Sequence, residues 1–431
     1  MLEGILSLFF LFFLLAGGLW VGVSLAVTGT VSMLVFSNLP VGKILAVQLF
    51  NWNNNFVMVA LPLFIFMGQL LFYSKLNQQL FRGLTPWLSH IPGKLVQVNV
   101  VGCTLFAAVS GSSTATLAAI GTVTVPELTK LGYDKKLVLG SICGAGTLGL
   151  MIPPSIVMII YCVLVRESIG QLYAAGVIPG LVLSALFMGY VGLKCLLNPQ
   201  LVPATMEKYS WKDRFNGLLM IAPTAFLIFI VLGSIYLGWC TPTEAAALGC
   251  AGGVVLGLIN RSLKWENFVD AISETTLISG MMLFIISGAI FYATSVSYLG
   301  FGQKVMDFVV SMQVNRYVVL FIVVIIYLFL GCLMDGGSML VLTVPIIYPA
   351  MMALGFDPIW FGVLLVITIE TAQITPPVGL NLYVLSGISG EPLENLVKYS
   401  IPFFFLMLLG GLIITLFPEL ALWLPRQLIL R

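Results

Sequence analysis

Residues Pro126 to Pro154 read PELTKLGYDKKLVLGSICGAGTLGLMIPP, and residues Pro349 to Pro377 read PAMMALGFDPIWFGVLLVITIETAQITPP. Pro126 pairs with Pro349, Leu131-Gly132-Tyr133-Asp134 with Leu354-Gly355-Phe356-Asp357, and Pro153-Pro154 with Pro376-Pro377, every pair displaced by 223 positions. Ile178-Pro179 and Ile401-Pro402 continue the series at that displacement. Four separate landmarks at one spacing define an internal repeat. A fainter echo, Pro62 to Gly68 against Met282 to Gly288, needs a slightly different spacing. The loop from Thr129 to Lys136 carries three lysines and its counterpart from Ala353 to Pro358 carries none, so the positive-inside rule sets equivalent loops on opposite faces of a membrane. That is the mark of an inverted-topology repeat, which in secondary transporters places substrate and ion sites at the midplane between broken helices.

The composition around this repeat is that of a chain in lipid. Of 431 residues, 60% are apolar and 8% charged, whereas an ordinary globular protein runs at about 45 to 50% apolar and about 25% charged. So few charged side chains cannot cover a soluble fold of this size, and the surplus apolar surface faces a bilayer. A net charge of +2, from 19 basic and 17 acidic residues, offers no field for nucleic acid. The composition also excludes intrinsic disorder. The seven cysteines, Cys103, Cys143, Cys162, Cys195, Cys240, Cys250 and Cys332, are scattered without metal-ligand spacing and read as small core residues. The single histidine, His90, has no partner for a metal site. No organic cofactor is implied.

Apolar stretches near the length of about 20 residues that crosses the hydrocarbon fall near 4–36, 43–73, 95–128, 136–165, 172–197, 215–238, 243–260, 272–300, 316–353, 358–385 and 396–424. The stretches 95–128 and 316–353 are each too long for one crossing and too short for two, and small polar residues interrupt them: Ser110-Gly111-Ser112-Ser113-Thr114 and Asp335-Gly336-Gly337-Ser338. Both read as re-entrant hairpins with tips inside the protein, because irregular backbone at membrane depth has to be shielded from lipid. The expected fold is an all-α polytopic membrane protein with inverted-topology repeats, two re-entrant helical hairpins and broken helices. Its expected divisions are an N-terminal membrane helix over 1–42, a first repeat over 43–197, linker and scaffold helices over 198–271, a second repeat over 272–424 and a tail over 425–431. The N-terminus lacks a basic n-region, and Glu3 precedes an apolar stretch too long for a signal peptide. With the N-terminus placed in the cytoplasm, thirteen of the 19 basic residues sort to the cytoplasmic side, and six (Lys43, Arg166, Lys304, Arg316, Arg426 and Arg431) to the other.

Each repeat follows its hairpin with a helix broken at a proline pair. Proline withholds a donor and displaces the preceding turn, which frees backbone carbonyls. With serine and threonine hydroxyls, these are hard oxygen ligands suited to a dehydrated sodium ion. No Lys or Arg lies at these depths, so an anionic substrate has to be held by half-helix N-termini, amides, hydroxyls and bound cations. Proton relays use buried carboxylates or histidines; the first repeat has neither near its break, and the second has Asp335 and Glu370. Sodium coupling is therefore expected over proton coupling, with structural roles open to both acids: Asp335 as a helix cap, Glu370 against a backbone donor. Thr241-Pro242-Thr243-Glu244 matches a capping box. The run from Lys194 to Arg214, with Glu207, Lys208, Lys212 and Asp213, reads as a solvated linker, and Trp52-Asn53-Asn54-Asn55 as a helix end at the membrane interface or a contact with another subunit. An intramembrane hydrolase lacks a nucleophile and base here, and a passive channel is separated from a carrier by dependence on a sodium gradient.

Taken in order, Gly111-Ser-Ser-Thr-Ala115, Leu131-Gly-Tyr-Asp134, Ile152-Pro-Pro-Ser155, Ala175-Gly-Val-Ile-Pro-Gly180, Thr241-Pro-Thr-Glu-Ala-Ala-Ala247 and Thr375-Pro-Pro-Val-Gly379 resemble the large membrane subunit of tripartite ATP-independent periplasmic (TRAP) transporters over nearly the whole chain. The likeness is to the separate-subunit form, with no four-helix portion before Met1. The resemblance implies an inner-membrane, sodium-driven importer of an organic acid such as a C4-dicarboxylate or sialic acid. A periplasmic substrate-binding protein would deliver the substrate, a small four-helix membrane subunit would complete the complex, and a hairpin-bearing core would move like an elevator. It also implies two or more sodium ions. By motif position one ion meets Ser110, Ser112, Gly149, Ile152 and Pro154, and another meets Gly331, Asp335, Gly336, Thr371 and Thr375. The substrate meets Ser113, Thr114, Gly337, Ser338, Gln373 and Asn381. Asp335 stands opposite Ser112 and Glu370 opposite Thr147, so the two ion sites need not be equivalent. A standalone divalent-anion/sodium symporter of related fold and a proton-coupled carrier are the alternatives.

Overall fold

The computed structural model describes residues 2–74, 76–203, 209–331, 333–376 and 379–429. Lys75, Glu207, Lys208, Cys332, Pro377 and Arg431 lie outside the described residues. Within them the chain forms twenty α-helices. The first ten are α1 Leu2–Ala16, α2 Val21–Phe36, α3 Val41–Asn53, α4 Ala60–Tyr73, α5 Leu76–Leu88, α6 Val96–Ser110, α7 Ser113–Lys130, α8 Lys135–Met151, α9 Ile156–Val165 and α10 Ile169–Leu197. The second ten are α11 Trp211–Tyr236, α12 Pro242–Ile259, α13 Trp265–Tyr298, α14 Phe301–Ser311, α15 Arg316–Gly331, α16 Gly336–Ala353, α17 Pro358–Ala372, α18 Leu380–Ser389, α19 Leu393–Leu416 and α20 Glu419–Ile429. By length and hydropathy, eight helical segments among the described residues are able to cross a membrane.

The repeat reappears in the elements. α7 and α16 start at Ser113 and Gly336 and stop at Lys130 and Ala353, a displacement of 223 at both ends. α2 and α12 stop at Phe36 and Ile259, displaced by the same 223. The segment 198–271, expected to hold a linker and scaffold helices, contains α11 and α12, and α12 is the counterpart of α2. The repeated Leu-Gly-aromatic-Asp motif has a local cause. Gly132 (φ +83°) and Gly355 (φ +79°) take the left-handed conformation that ends a hairpin arm. Asp134 then accepts from Leu137 N, and Asp357 from Ile359 N and Trp360 N, to start the broken helix. Thr241 and Glu244 form the expected reciprocal capping box on α12.

Three expectations change. The 1–42 segment is a hairpin rather than one helix. Gly18, at φ +80°, turns the chain between α1 and α2, and Ser32 Oγ donates to Ser7 Oγ at 2.8 Å, an antiparallel register. Glu3 accordingly ends beside Lys304, 3.3 Å away. The sorting of basic residues into groups of thirteen and six survives, because the hairpin shifts only what precedes Lys43. The N-terminus thus lies on the face of Lys304, opposite the lysine-rich loops, whereas the single crossing expected over 1–42 set it on the same face as those loops. Second, 43–73 is interrupted: α3 stops at Asn53, a 3-10 turn spans Phe56–Val59 with Asn55 accepting from Val57 N, and α4 follows, whereas α13 is continuous over 34 residues. Third, the tail read from 425 begins within α20. The described cysteines are all free, and all but Cys240 are buried.

Candidate functional site

The two hairpins, α6–α7 and α15–α16, carry their tips to the two helix breaks. At the first, Gly111 is left-handed (φ +63°) and its carbonyl accepts from Ile156 N at 3.3 Å, beyond the α8–α9 break. A Cβ on Gly111 would stand 2.9 Å from Pro154 O, so that carbonyl lies against the tip. Ser110 Oγ hydrogen-bonds Thr116 Oγ1 and donates to Ser112 O at 3.3 Å, while Ser112 caps α7. Gly149 permits the close approach: a Cβ there would overlap Ser112 O and Thr116 Oγ1. Ser110, Ser112, Gly149 and Pro154 are thus brought together as a cluster of hydroxyl and carbonyl oxygens. Ile152 belongs to the same break, its side chain packing toward Gly180.

At the second tip Asp335 accepts from Gly337 N (2.9 Å) and Ser338 N (3.1 Å) and from Ser338 Oγ, and so caps α16. Gly331 sits against Ala372 and Gly336 against Ile369, at the end of α17. The hydroxyls of the remaining predicted ligands turn to their own chain, Thr371 Oγ1 to Ile367 O at 2.7 Å and Thr375 Oγ1 to Ala372 O at 2.7 Å. Glu370 is fully buried, lies against the main chain of Leu150 and Met151, and makes no well-formed hydrogen bond among the described residues.

The halves meet through Ser113. Its hydroxyl lies 2.8 Å from Gln373 Oε1 and 3.2 Å from Asn381 Oδ1, so one proton from the first tip serves two amides of the second break. Asn381 is fully buried and its Nδ2 has no partner among the described residues. A cavity of about 90 Å3 lies here, lined by Ser112, Ser113, Thr114, Asp335, Gly336, Gly337 and Gln373, with Val157, Ile160 and Met282 among its apolar walls. That is room for roughly three waters. Ser338 contributes its hydroxyl to the Asp335 cap instead of to the wall. Met282 on α13 escaped the sequence reading, although it begins the fainter echo of Pro62 to Gly68; the walls Val157 and Ile160 carry no chemical signal in sequence.

A second, larger cavity of about 760 Å3 opens between α5 and the α6–α7 hairpin, lined by Gln78, Phe81, Arg82, Thr122, Glu127 and Tyr133 among others. Thr114, Ala118 and Thr122, spaced by one helical turn, are each partly or fully exposed. They form one stripe of α7 from the tip to this cavity. The repeat-related space is closed, because α14 packs on α16: a Cβ on Gly302 would stand 3.2 Å from Pro345 O and 3.6 Å from Pro349 Cγ.

A family model described as "Tripartite ATP-independent periplasmic transporter, DctM component" matches residues 8–420. The C4-dicarboxylate TRAP transporter large permease protein DctM of Pseudomonas aeruginosa is 34% identical over 94% of this chain and 94% of its own length. The sialic acid TRAP transporter large permease protein SiaM of Vibrio cholerae is 28% identical over 96% of each. Among solved structures, the YdaH transporter of Alcanivorax borkumensis superposes with a TM-score of 0.58 at 16% identity, covering 88% of this chain and 87% of its own, and shares the fold.

Proposed function

Because the chain belongs to the family of DctM components of tripartite ATP-independent periplasmic transporters, we propose that it carries an organic acid anion inward across a bacterial inner membrane, driven by sodium. It is a multi-pass permease subunit and not an enzyme. The observation that carries the proposal is the junction at Ser113, where both tips and both breaks enclose one cavity. There Ser113 and Gln373, with Asn381 hydrogen-bonded to Ser113, supply neutral polar groups for a carboxylate, with two or more sodium ions as co-transported cargo balancing its charge. One ion is assigned to Ser110, Ser112, Gly149 and the carbonyls of the first break, the other to the end of α17. A periplasmic binding protein and a small membrane subunit are the proposed partners, with a C4-dicarboxylate or sialic acid as the substrate class.

The lysine-rich face is assigned to the cytoplasm, which sets the N-terminus outside. In that frame the cavity beside α5 is the cytoplasmic opening and the packed α14–α16 contact is the external seal. Exchanging those two arrangements between the repeats, by an elevator-like slide of the hairpin-bearing core, would open the outer face. The test is uptake of labelled C4-dicarboxylate or sialic acid into proteoliposomes holding this chain, its membrane partner and the binding protein. Uptake is expected only with an inward sodium gradient. Equal uptake without the gradient would remove sodium coupling, and uptake by this chain alone would favour a standalone symporter.

A further inference from the structure

We propose that the groove between α15, α17 and α19 is a phospholipid site, taking one acyl chain along its length with the lipid phosphate on Arg316. The groove encloses about 580 Å3 and is lined by Leu320, Phe321 and Val324, by Leu364 and Ile367, and by Leu408, Gly411 and Leu412, together with three threonines, Thr368, Thr371 and Thr415. Every one of those threonine hydroxyls is turned back to its own helix: Thr368 donates to Leu364 O at 2.8 Å, Thr371 to Ile367 O at 2.7 Å and Thr415 to Gly411 O at 2.8 Å. Along these threonines the groove therefore shows methyl groups and no free hydroxyl proton, which penalises a polar ligand there and favours a hydrocarbon.

Its depth matches an acyl chain. Phe321, Leu412 and Leu416 on the rim are 64%, 52% and 64% exposed, while Thr371 at the floor is fully buried. From Thr415 to Met407 the wall descends two helical turns, about 12 Å, close to the roughly 15 Å of hydrocarbon in one leaflet. At the mouth, Tyr317 lines the groove, and the Arg316 guanidinium lies 5.0 Å from its ring and 5.3 Å from that of Phe356. No carboxylate pairs with Arg316 among the described residues. The two rings hold a cation at the membrane surface, where a lipid phosphate sits, directly above an apolar slot.

The test places the full chain in nanodiscs of phosphatidylcholine carrying a little phosphatidylglycerol with a photoreactive group on its acyl chain. After illumination, adducts are mapped by peptide mass spectrometry. Adducts are expected to concentrate on Phe321, Leu408 and Leu412, several-fold above Phe226 and Phe229, which are equally exposed on α11 at 64% and 70%. Arg316→Gln is expected to lower the groove adducts several-fold, and Gly411→Leu to abolish them by filling the slot. Gly411→Ala, whose Cβ would make ordinary 3.6 Å contact with Ile367, is expected to leave them nearly unchanged and serves as the folding control. Equal labelling of groove and α11, or labelling indifferent to Gly411→Leu, would overturn the site. Loss of groove labelling on adding a membrane partner protein would assign the groove to that partner's helix and overturn the lipid.

Discussion

Gly149 holds the first break against the first tip, since any side chain there would collide with Ser112 O and Thr116 Oγ1. Gly149→Ala is expected to separate α8 from the tip and raise the sodium concentration needed for half-maximal uptake several-fold; an unchanged sodium curve would take this residue out of the ion site. Asp335→Asn keeps an oxygen for the α16 cap, and where sodium alone drives transport it is expected to leave pH-dependence of uptake unaltered. At the lysine-rich face, Lys135 pairs with Glu391 across the two repeats. Lys135, with help from Asn395, holds the Glu391 carboxyl below the usual carboxylate range. A lowered folded-state value means that the contact stabilises the protein above the unfolded carboxylate value, about 4.3, and is lost as pH falls through the folded value. The melting temperature of Glu391→Gln is therefore expected to lie below wild type at neutral pH and to converge with it in acid; a constant difference would show that the pair does not titrate this way.

At the scale of elements, much of the architecture was legible because proline, glycine and aspartate mark helix ends by backbone chemistry, and the displacement of 223 recurs from Ser113 and Gly336 in α7 and α16. The hairpins were legible because their polar tips interrupt apolar runs. The α1–α2 turn was not, because Gly17-Gly18 breaks a helix without breaking hydrophobicity, and hydropathy counts only the latter. Of the residues named for the substrate, the structure brings Ser113, Gln373 and Asn381 to one junction, where polar atoms stand out in an apolar sequence. The site was illegible where the wall is apolar, as at Val157 and Ile160, or where a threonine hydroxyl is spent on its own helix, as at Thr371. The closed α14–α16 contact makes a further prediction. In a background without other cysteines, Gly302→Cys paired with Pro349→Cys is expected to form a disulfide that stops uptake until reduced; a linked protein that still transports would exclude motion between these helices.

For the whole molecule, the corrected hairpin has a direct consequence: Leu2→Cys and Lys304→Cys are expected to react with an impermeant maleimide from outside the cell, and Lys136→Cys only after the membrane is opened. Labelling of Leu2 with Lys136 would invert the orientation. On the proposed elevator-like movement, the scarcity of charge would also leave few groups to resist a slide through lipid. The most direct test of alternating access uses Thr114→Cys, at the tip and at the head of the exposed α7 stripe, with impermeant reagent applied from each face in proteoliposomes of known orientation. Without sodium, reaction is expected from the lysine-rich face, protection when sodium and substrate are both present, and reaction from the opposite face once the binding protein delivers substrate. Reaction from one face under every condition would contradict alternating access.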